Sequence, residues 1–417
     1  MRHAALLSLA LAPSVALAQN STILAGLVGA LSAAGLTQLI NVATTINSTS
    51  VGQSILANIT SGSPFLLFAP NNDAWSKAPA NFTSPATTLA DVFSYHVVPG
   101  NFSAVQTQYP NITLGQTLYD DPLTVHLEGG KPQVVAWSER ADGKTHVLNQ
   151  RNDSTVVNTT TFGNLTIFII DNVLQVPENL EDTIPTNNLS LNGFSTLLKS
   201  ATLSFYNAST ASTSDVTFFD AFNTGYHGFT LFSPNDTAIT AANGTLAGIA
   251  GNRTALNSVL FNHVINATSL YTPLLAGSQN FTTAGGEALS FKLNATGQYV
   301  TLGNITAMIV QPDVLLPNGV VHIIDRVLLD TDSDPSSASS ALSSATSAAS
   351  ASQSSQTAPI GFSITSSLAS AASSAAAAAS SSGSSSGAAS FGFSAHNLVG
   401  LTVALAAAVF GGVMTIF

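Results

Sequence analysis

No cysteine occurs anywhere in the chain, which excludes disulfides, thiolate nucleophiles and Cys-ligated zinc or iron–sulfur centres together. Charge is nearly as scarce: 10 Lys and Arg stand against 21 Asp and Glu in 417 residues, 7% charged where globular domains carry roughly 25%. The bases are too few and too scattered to follow a phosphate backbone, so nucleic acid is excluded as a partner. The deficit is not merely a dilution by tails, because the 30 charged side chains among the 316 residues from Gln19 to Asp334 still make up only about 9.5%. Apolar residues make up 45%, ample for packed cores.

The ends indicate a compartment. Arg2 and His3 precede an apolar run, Ala4 to Leu11, and Ala16-Leu17-Ala18 supplies a small-residue cleavage site, so residues 1–18 are expected to be a signal peptide. From Pro335 to Phe417 there is no charged side chain, and the last 20 residues, Leu398 to Phe417, are apolar or uncharged. A transmembrane anchor would usually carry basic residues on its cytoplasmic flank. The better expectation is a GPI signal, attached at Gly387 (or Ser386, or Gly383), with 388–417 as propeptide. The protein is then secreted and held at the outer leaflet of the plasma membrane or passed to the cell wall. Between the ends, 333–387 is rich in Ser and Ala and is expected to be a disordered, O-glycosylated stalk.

Residues 19–334 repeat. Phe65 to Trp75, FLLFAPNNDAW, is echoed by Phe229 to Ile239, FTLFSPNDTAI. In each an apolar strand meets Pro and then Asn and Asp able to cap a following helix. Tyr95-His96-Val97-Val98 corresponds to Asn262-His263-Val264-Ile265, and Asn164 to Leu174 corresponds to Asn318 to Leu328. Helical spacing opens each copy, at Leu24, Leu27 and Leu31 and at Phe194, Leu197 and Leu198, while apolar strands close it. Leu123 to Leu127 and Gln133 to Trp137 flank Glu128-Gly129-Gly130-Lys131 as an expected hairpin. The fold class is α+β with helices early and antiparallel strands late: copy 1 at 19–176, a linker at 177–188 and copy 2 at 189–332.

These three blocks resemble the fasciclin domain, the closing NGVVHIIDRVL of copy 2 most specifically. The resemblance implies two tandem wedge-shaped β-sandwiches with several helices, in surface and matrix proteins that mediate adhesion without catalysis. The processing signals are similar to those of fungal and plant members. In animal members the Tyr-His neighbourhood is implied in integrin adhesion, which makes Tyr95, His96 and His263 candidate motif residues. Asn262 replaces the usual Tyr in copy 2, and Leu165 and Phe168 of copy 1 stand where copy 2 has Gly319 and His322. The last turns must therefore be built differently.

Catalytic constellations are wanting. There is no dinucleotide or P-loop glycine pattern and no His-Glu-x-x-His, and the eight histidines show no metal-ligand spacing. His96 and His263 read as buried, hydrogen-bonded residues, while Asp171 and Asp325, equivalent in the two copies, are expected to orient backbone. Asp330-Thr331-Asp332-Ser333-Asp334 opens like a calcium loop, but Pro335 falls where Gly is needed and no Glu closes it. No cofactor is expected. A glycosidase would need two carboxylates about 5–10 Å apart in a cleft, which spacing alone does not address.

Eighteen Asn-x-Ser/Thr sequons occur. Glycosylation is expected at Asn20, Asn47, Asn58, Asn81, Asn101, Asn111, Asn152, Asn158, Asn188, Asn207, Asn243, Asn252, Asn266, Asn280 and Asn294. Asn164, Asn235 and Asn304 adjoin strands or the Pro-Asn turn, where a glycan would clash. Carbohydrate rather than charge is then expected to solvate the surface. The functional expectation is a non-enzymatic adhesion or wall-organising glycoprotein whose partners are cell-surface or cell-wall proteins and glycans, with the membrane reached through GPI lipid and weak self-association left open. The alternative is a module binding a lipid or other small apolar ligand.

Overall fold

The structure, a computed structural model, describes residues 12–102, 107–109, 111–207, 212–275, 280–294, 296–351 and 357–361. The leader through Leu11 and the GPI signal lie outside the described residues, and a helix from Ala12 to Ala33 runs across the expected leader boundary.

The first half contributes strands β1 (Phe65–Pro70), β2 (Val97–Pro99), β3 (Thr113–Gln116), β4 (Val134–Glu139), β5 (Thr145–Val147), β6 (Ser154–Phe162) and β7 (Leu165–Ile170). The second contributes β8 (Thr202–Asn207), β9 (Ser212–Thr217), β10 (Phe229–Pro234), β11 (Val264–Asn266), β12 (Phe281–Thr282), β13 (Ala288–Asn294), β14 (Gly297–Leu302), β15 (Ile305–Leu316) and β16 (Gly319–Ile324). The two seven-stranded sheets share one order, β2-β1-β7-β6-β5-β4-β3 and β11-β10-β16-β15-β14-β13-β12, and β8–β9 is an additional hairpin of the second half.

β1 and β10 are buried on both faces, which explains their unbroken apolar reading. One face of β1 and β7 packs Leu67 and Ile167 against helix residues Leu39, Ile55 and Phe93. The other sets Leu66, Phe68 and Ile170 against Val135 and Trp137 of β4. Each copy thus has a helix-on-sheet core and a sheet-on-sheet core, and the second copy repeats this around Leu231 and Phe232. The Pro-Asn blocks act as caps: Asn71 Oδ1 accepts from Ala74 N at 2.7 Å and Asn235 Oδ1 from Ala238 N at 2.8 Å.

Four expectations are corrected. The sheets are mixed, because β1 pairs parallel with β7 and β10 with β16, the crossover being supplied by the rest of each copy. Leu123 to Leu127 forms no hairpin arm. Asp121 instead accepts Leu123 N, Thr124 N and Val125 N in a local turn, and β4 pairs with β3 and β5. The linker contains a helix, Leu180–Thr186, capped by Asn179 and pinned by buried Leu180. Finally, the start of the expected stalk is folded. Asp334 caps a helix, Pro335–Ala351, by accepting from Ser336 N and Ser337 N. Ala spares side-chain entropy and the buried faces of Ala338 and Ala349 supply packing that propensity alone lacked.

Beyond that helix, residues 357–361 return across the molecule as a strap. Ile360 N donates to Leu114 O at 2.9 Å, and its side chain enters an apolar cluster formed by both copies. Glycines admit both the helix and the strap closely: a Cβ on Gly129 would lie 2.4 Å from Ala349 O of the helix, and one on Gly100 (φ +119°) 2.1 Å from Thr357 O of the strap. The last turns do differ, with Gly163-Asn164 between β6 and β7 and Pro317-Asn318 between β15 and β16. A Cβ at Gly319 would meet Phe229 O at 2.7 Å.

Candidate functional site

The two repeat histidines are equivalent struts. His96 Nδ1 lies 2.8 Å from Val92 O and its Nε2 accepts Leu174 N at 2.9 Å; His263 Nδ1 lies 2.7 Å from Val259 O and its Nε2 accepts Leu328 N at 3.0 Å. Because Nε2 must accept from a backbone N–H, the proton sits on Nδ1, directed at the helix carbonyl. Each imidazole thereby ties the helix before it to the chain leaving the closing strand. Burial holds both at a pKa of about 4, partly opposed by the bond to the helix carbonyl.

Tyr95 is fully buried and donates to Val134 O at 3.0 Å. Asn262, its counterpart, donates instead to Asp330 O and Asp332 O and accepts from Thr283 Oγ1. Tyr95, His96 and His263 therefore lie in the interior. Asp171 accepts Thr155 N at 2.8 Å, and Asp325 accepts Met308 N at 2.7 Å. Both carboxylates receive a ladder N–H at the end of the closing strand, a backbone-orienting arrangement. The Asp330–Asp334 run is occupied by the Asn262 contacts and the helix cap. Among the described residues no group of three His, Cys, Asp or Glu side chains is arranged to hold a metal.

Features not legible in sequence gather where the copies meet. Glu128, 6% exposed, accepts from Ser269 N and Ser269 Oγ through Oε2 and from Lys131 Nζ at 2.7 Å through Oε1. Gln133 Nε2 donates to Leu316 O at 2.9 Å, and His126 N to Pro317 O at 2.8 Å. Gly228, at φ +71°, leaves room for Glu128, whose Cβ would be 2.5 Å from a Cβ placed there. The rings of His126 and His227 are 4.8 Å apart, and burial, then His126, pushes His227 down. Ile112, Leu114, Val134, Ala136 and Leu148 pack against Tyr271, Leu315 and Val320, with Ile360 closing the cluster.

Asp313 is buried at φ +54° and accepts Thr272 N at 2.8 Å, while Asp313 N donates to His322 Nδ1 at 3.3 Å and His322 Nε2 faces Leu270 O at 2.8 Å. His322 therefore carries its proton on Nε2, opposite to the strut histidines. Burial raises Asp313 and lowers His322. Asn149, itself at φ +57°, donates through Nδ2 to Asp313 O across the seam.

Among the described residues, concavities open on this seam. A groove of about 800 Å³ runs between Tyr109, Glu139, Arg140 and Asn149 of the first copy and Val310, Gln311 and Pro312 of the second, with Asn187 at its edge. A smaller apolar pocket of about 240 Å³ lies among Ile112, Pro273, Leu275, Phe291 and Ile309, where Thr272 Oγ1 and Gln298 Oε1 are buried without partners. Near the groove, His146 bridges Asp153 at 2.9 Å and Asp142 at 3.1 Å, and Arg140 pairs with Asp153 at 2.9 Å.

Of the sequons, Asn47, Asn58, Asn81, Asn101, Asn111, Asn152, Asn158, Asn188, Asn243, Asn252, Asn280 and Asn294 are exposed. Asn164 and Asn304, expected to be obstructed, are exposed as well, since both occupy hairpin turns. Asn235 and Asn266 are half-buried, while Asn20 and the Asn207 side chain lie outside the description.

The fasciclin-domain family profile matches residues 25–177 and 194–330. Transforming growth factor-beta-induced protein ig-h3 of Oryctolagus cuniculus is 25% identical over 281 residues, covering 64% of this chain and 34% of that protein. Protein sll1483 of Synechocystis is 31% identical over 99 residues (21% of this chain, 53% of that one), and human periostin 29% over 102 residues (24% and 12%). The chain thus spans about a third of the length of the first of these relatives. A solved FAS1 domain pair from the insect cell adhesion molecule fasciclin I aligns at 17% identity and a TM-score of 0.31, over 70% of this chain and 97% of its own. With two profile matches over most of its length, the chain belongs to the fasciclin-domain family and carries two fasciclin domains in tandem.

Proposed function

We propose that this protein is a non-enzymatic, secreted surface glycoprotein acting in cell adhesion or cell-wall organisation, held by a GPI anchor at the plasma membrane or passed to the wall. The observation that carries the reading is the internal use of the reactive groups. His96, His263, Asp171 and Asp325 are all engaged with backbone, whereas the exposed surface is poor in charge and dense in sequons. Family membership supports the same reading, and many anchored copies with weak contacts would act through avidity. Beads coated with the ectodomain should cluster with cells or isolated walls, and a phosphatidylinositol-specific phospholipase should release the protein from intact cells. Uncoated-level clustering would sink the adhesion role, and retention after both phospholipase and wall digestion would sink the anchor.

A second reading, a module for a small apolar ligand, is favoured by the 240 Å³ pocket with its unpartnered Thr272 and Gln298 oxygens. Native mass spectrometry of the purified ectodomain separates them: a stoichiometric apolar adduct supports this reading, and an empty protein that still clusters cells supports adhesion.

A further inference from the structure

We propose that the groove at the domain seam binds a neutral polysaccharide, with Tyr109 as its stacking platform and the amides of Asn187 and Gln311 as partners for sugar hydroxyls. The groove's volume, about 800 Å³, falls within the range of ligand clefts, roughly 300–1,000 Å³. Tyr109 keeps 48% of its surface exposed although it is a large aromatic. Its hydroxyl and the side-chain amides of Asn187 and Gln311 have no hydrogen-bond partner among the described residues, so their donors and acceptors face the groove unspent. An amide offers donors and an acceptor in one plane, which suits adjacent hydroxyls, and an aromatic face suits the apolar face of a pyranose.

Charge decides against a polyanion. The groove presents one acid and one base, Glu139 and Arg140, and Arg140 is already paired with Asp153. The placement of Gln311 is itself a built feature. β15 breaks register on both sides of Gln311, whereas β6, its counterpart, breaks register once. The displaced segment is pinned through Asp313, whose left-handed backbone is held by His322, Thr272 and Asn149. Such a bulge re-aims a side chain, and a strained residue persists only where its surroundings over-determine it.

The proposal names a partner class for the surface role above and rests on that reading only for its biological use. The test is calorimetric titration of the ectodomain, with its N-glycans intact and enzymatically trimmed because Asn111 and Asn188 flank the groove residues in sequence. The probes are hexasaccharides of β-1,3-glucan, cellulose, chitin and α-mannan, with oligogalacturonate as the polyanionic comparison. Saturable binding of one neutral probe is expected. Tyr109→Ala and Gln311→Ala should each weaken it roughly tenfold without moving Tm, Tyr109→Phe should retain it, and Leu123→Ala, remote and exposed, should leave it unchanged. No saturable binding by the trimmed protein, a preference for oligogalacturonate, or indifference to Tyr109→Ala and Gln311→Ala would each overturn the proposal. Sugar binding without cell clustering would overturn the adhesion reading instead.

Discussion

Glu128 of the first domain and Ser269 of the second are joined by two hydrogen bonds to a single carboxylate oxygen, at 3.2 Å from Ser269 N and 2.7 Å from Ser269 Oγ. Few carboxylates in this charge-poor chain are buried, and while Oε1 of this one is held by Lys131 of its own domain, the protein donors to Oε2 come from the other domain. Glu128→Ala should strand the Ser269 donors and cost about 2–3 kcal/mol of coupling. Calorimetry should then show one unfolding transition split into two. A single transition at unchanged Tm would show that the seam does not depend on this pair.

The strut histidines make stability depend on pH in a defined direction. Both have folded pKa values of about 4, below the ordinary value of 6.5, so the unfolded chain binds protons that the folded chain refuses. Their contribution is fully present above pH 6.5 and is lost as the pH falls through 6.5 towards 4, on the order of 3 kcal/mol per histidine. Urea midpoints measured from pH 7.5 to 4 should fall across that window. A flat profile would mean that neither imidazole is held neutral.

Asp171→Ala and Asp325→Ala remove the acceptors of Thr155 N and Met308 N. Each should destabilise its own domain by about 1–3 kcal/mol, the half-buried Asp171 more than the exposed Asp325. Loss of a wall-remodelling activity by a variant of unchanged stability would reveal catalysis instead.

Ile360 enters the seam cluster at 7% exposure. Ile360→Ala should cost about 2 kcal/mol, and truncation after Asp334 should do so too, with faster hydrogen exchange at the seam. Exchange rates identical to those of the intact chain would remove the strap from the stability of the pair.

Enzymatic removal of N-glycans should make the ectodomain self-associate, since the folded domains carry so few charges. Light scattering before and after treatment checks this, and a deglycosylated protein that stays monomeric would locate its solubility elsewhere.

What sequence disclosed was local or duplicated. The Pro-Asn caps, the buried histidines and the closing strands could be read because each announces itself within a few residues and appears twice. The parallel partnership of Phe65 with Leu165 spans a hundred residues and leaves no nearby mark. Glu128-Gly129-Gly130-Lys131 imitates a hairpin turn, yet its glutamate is claimed by Ser269, 141 positions away. Tyr109 and Gln311 carry no motif, and they come to line one groove through the Tyr109 N bond to Glu139 O on one side and the register shifts of β15 on the other. The Ser/Ala-rich tail reads as unstructured until the surface that Ala338, Ala349 and Ile360 cover is known.

That tail also decides where a force applied on the C-terminal side of the domain pair would act first. Past β16 the chain packs back on the molecule as far as Gly361, where a Cβ would lie 2.7 Å from the Pro273 side chain. A pull on the C-terminal side therefore arrives first at Ile360 and the Pro335–Ala351 helix, between the domains, and reaches the closing strand of the second domain only after the strap has been peeled away.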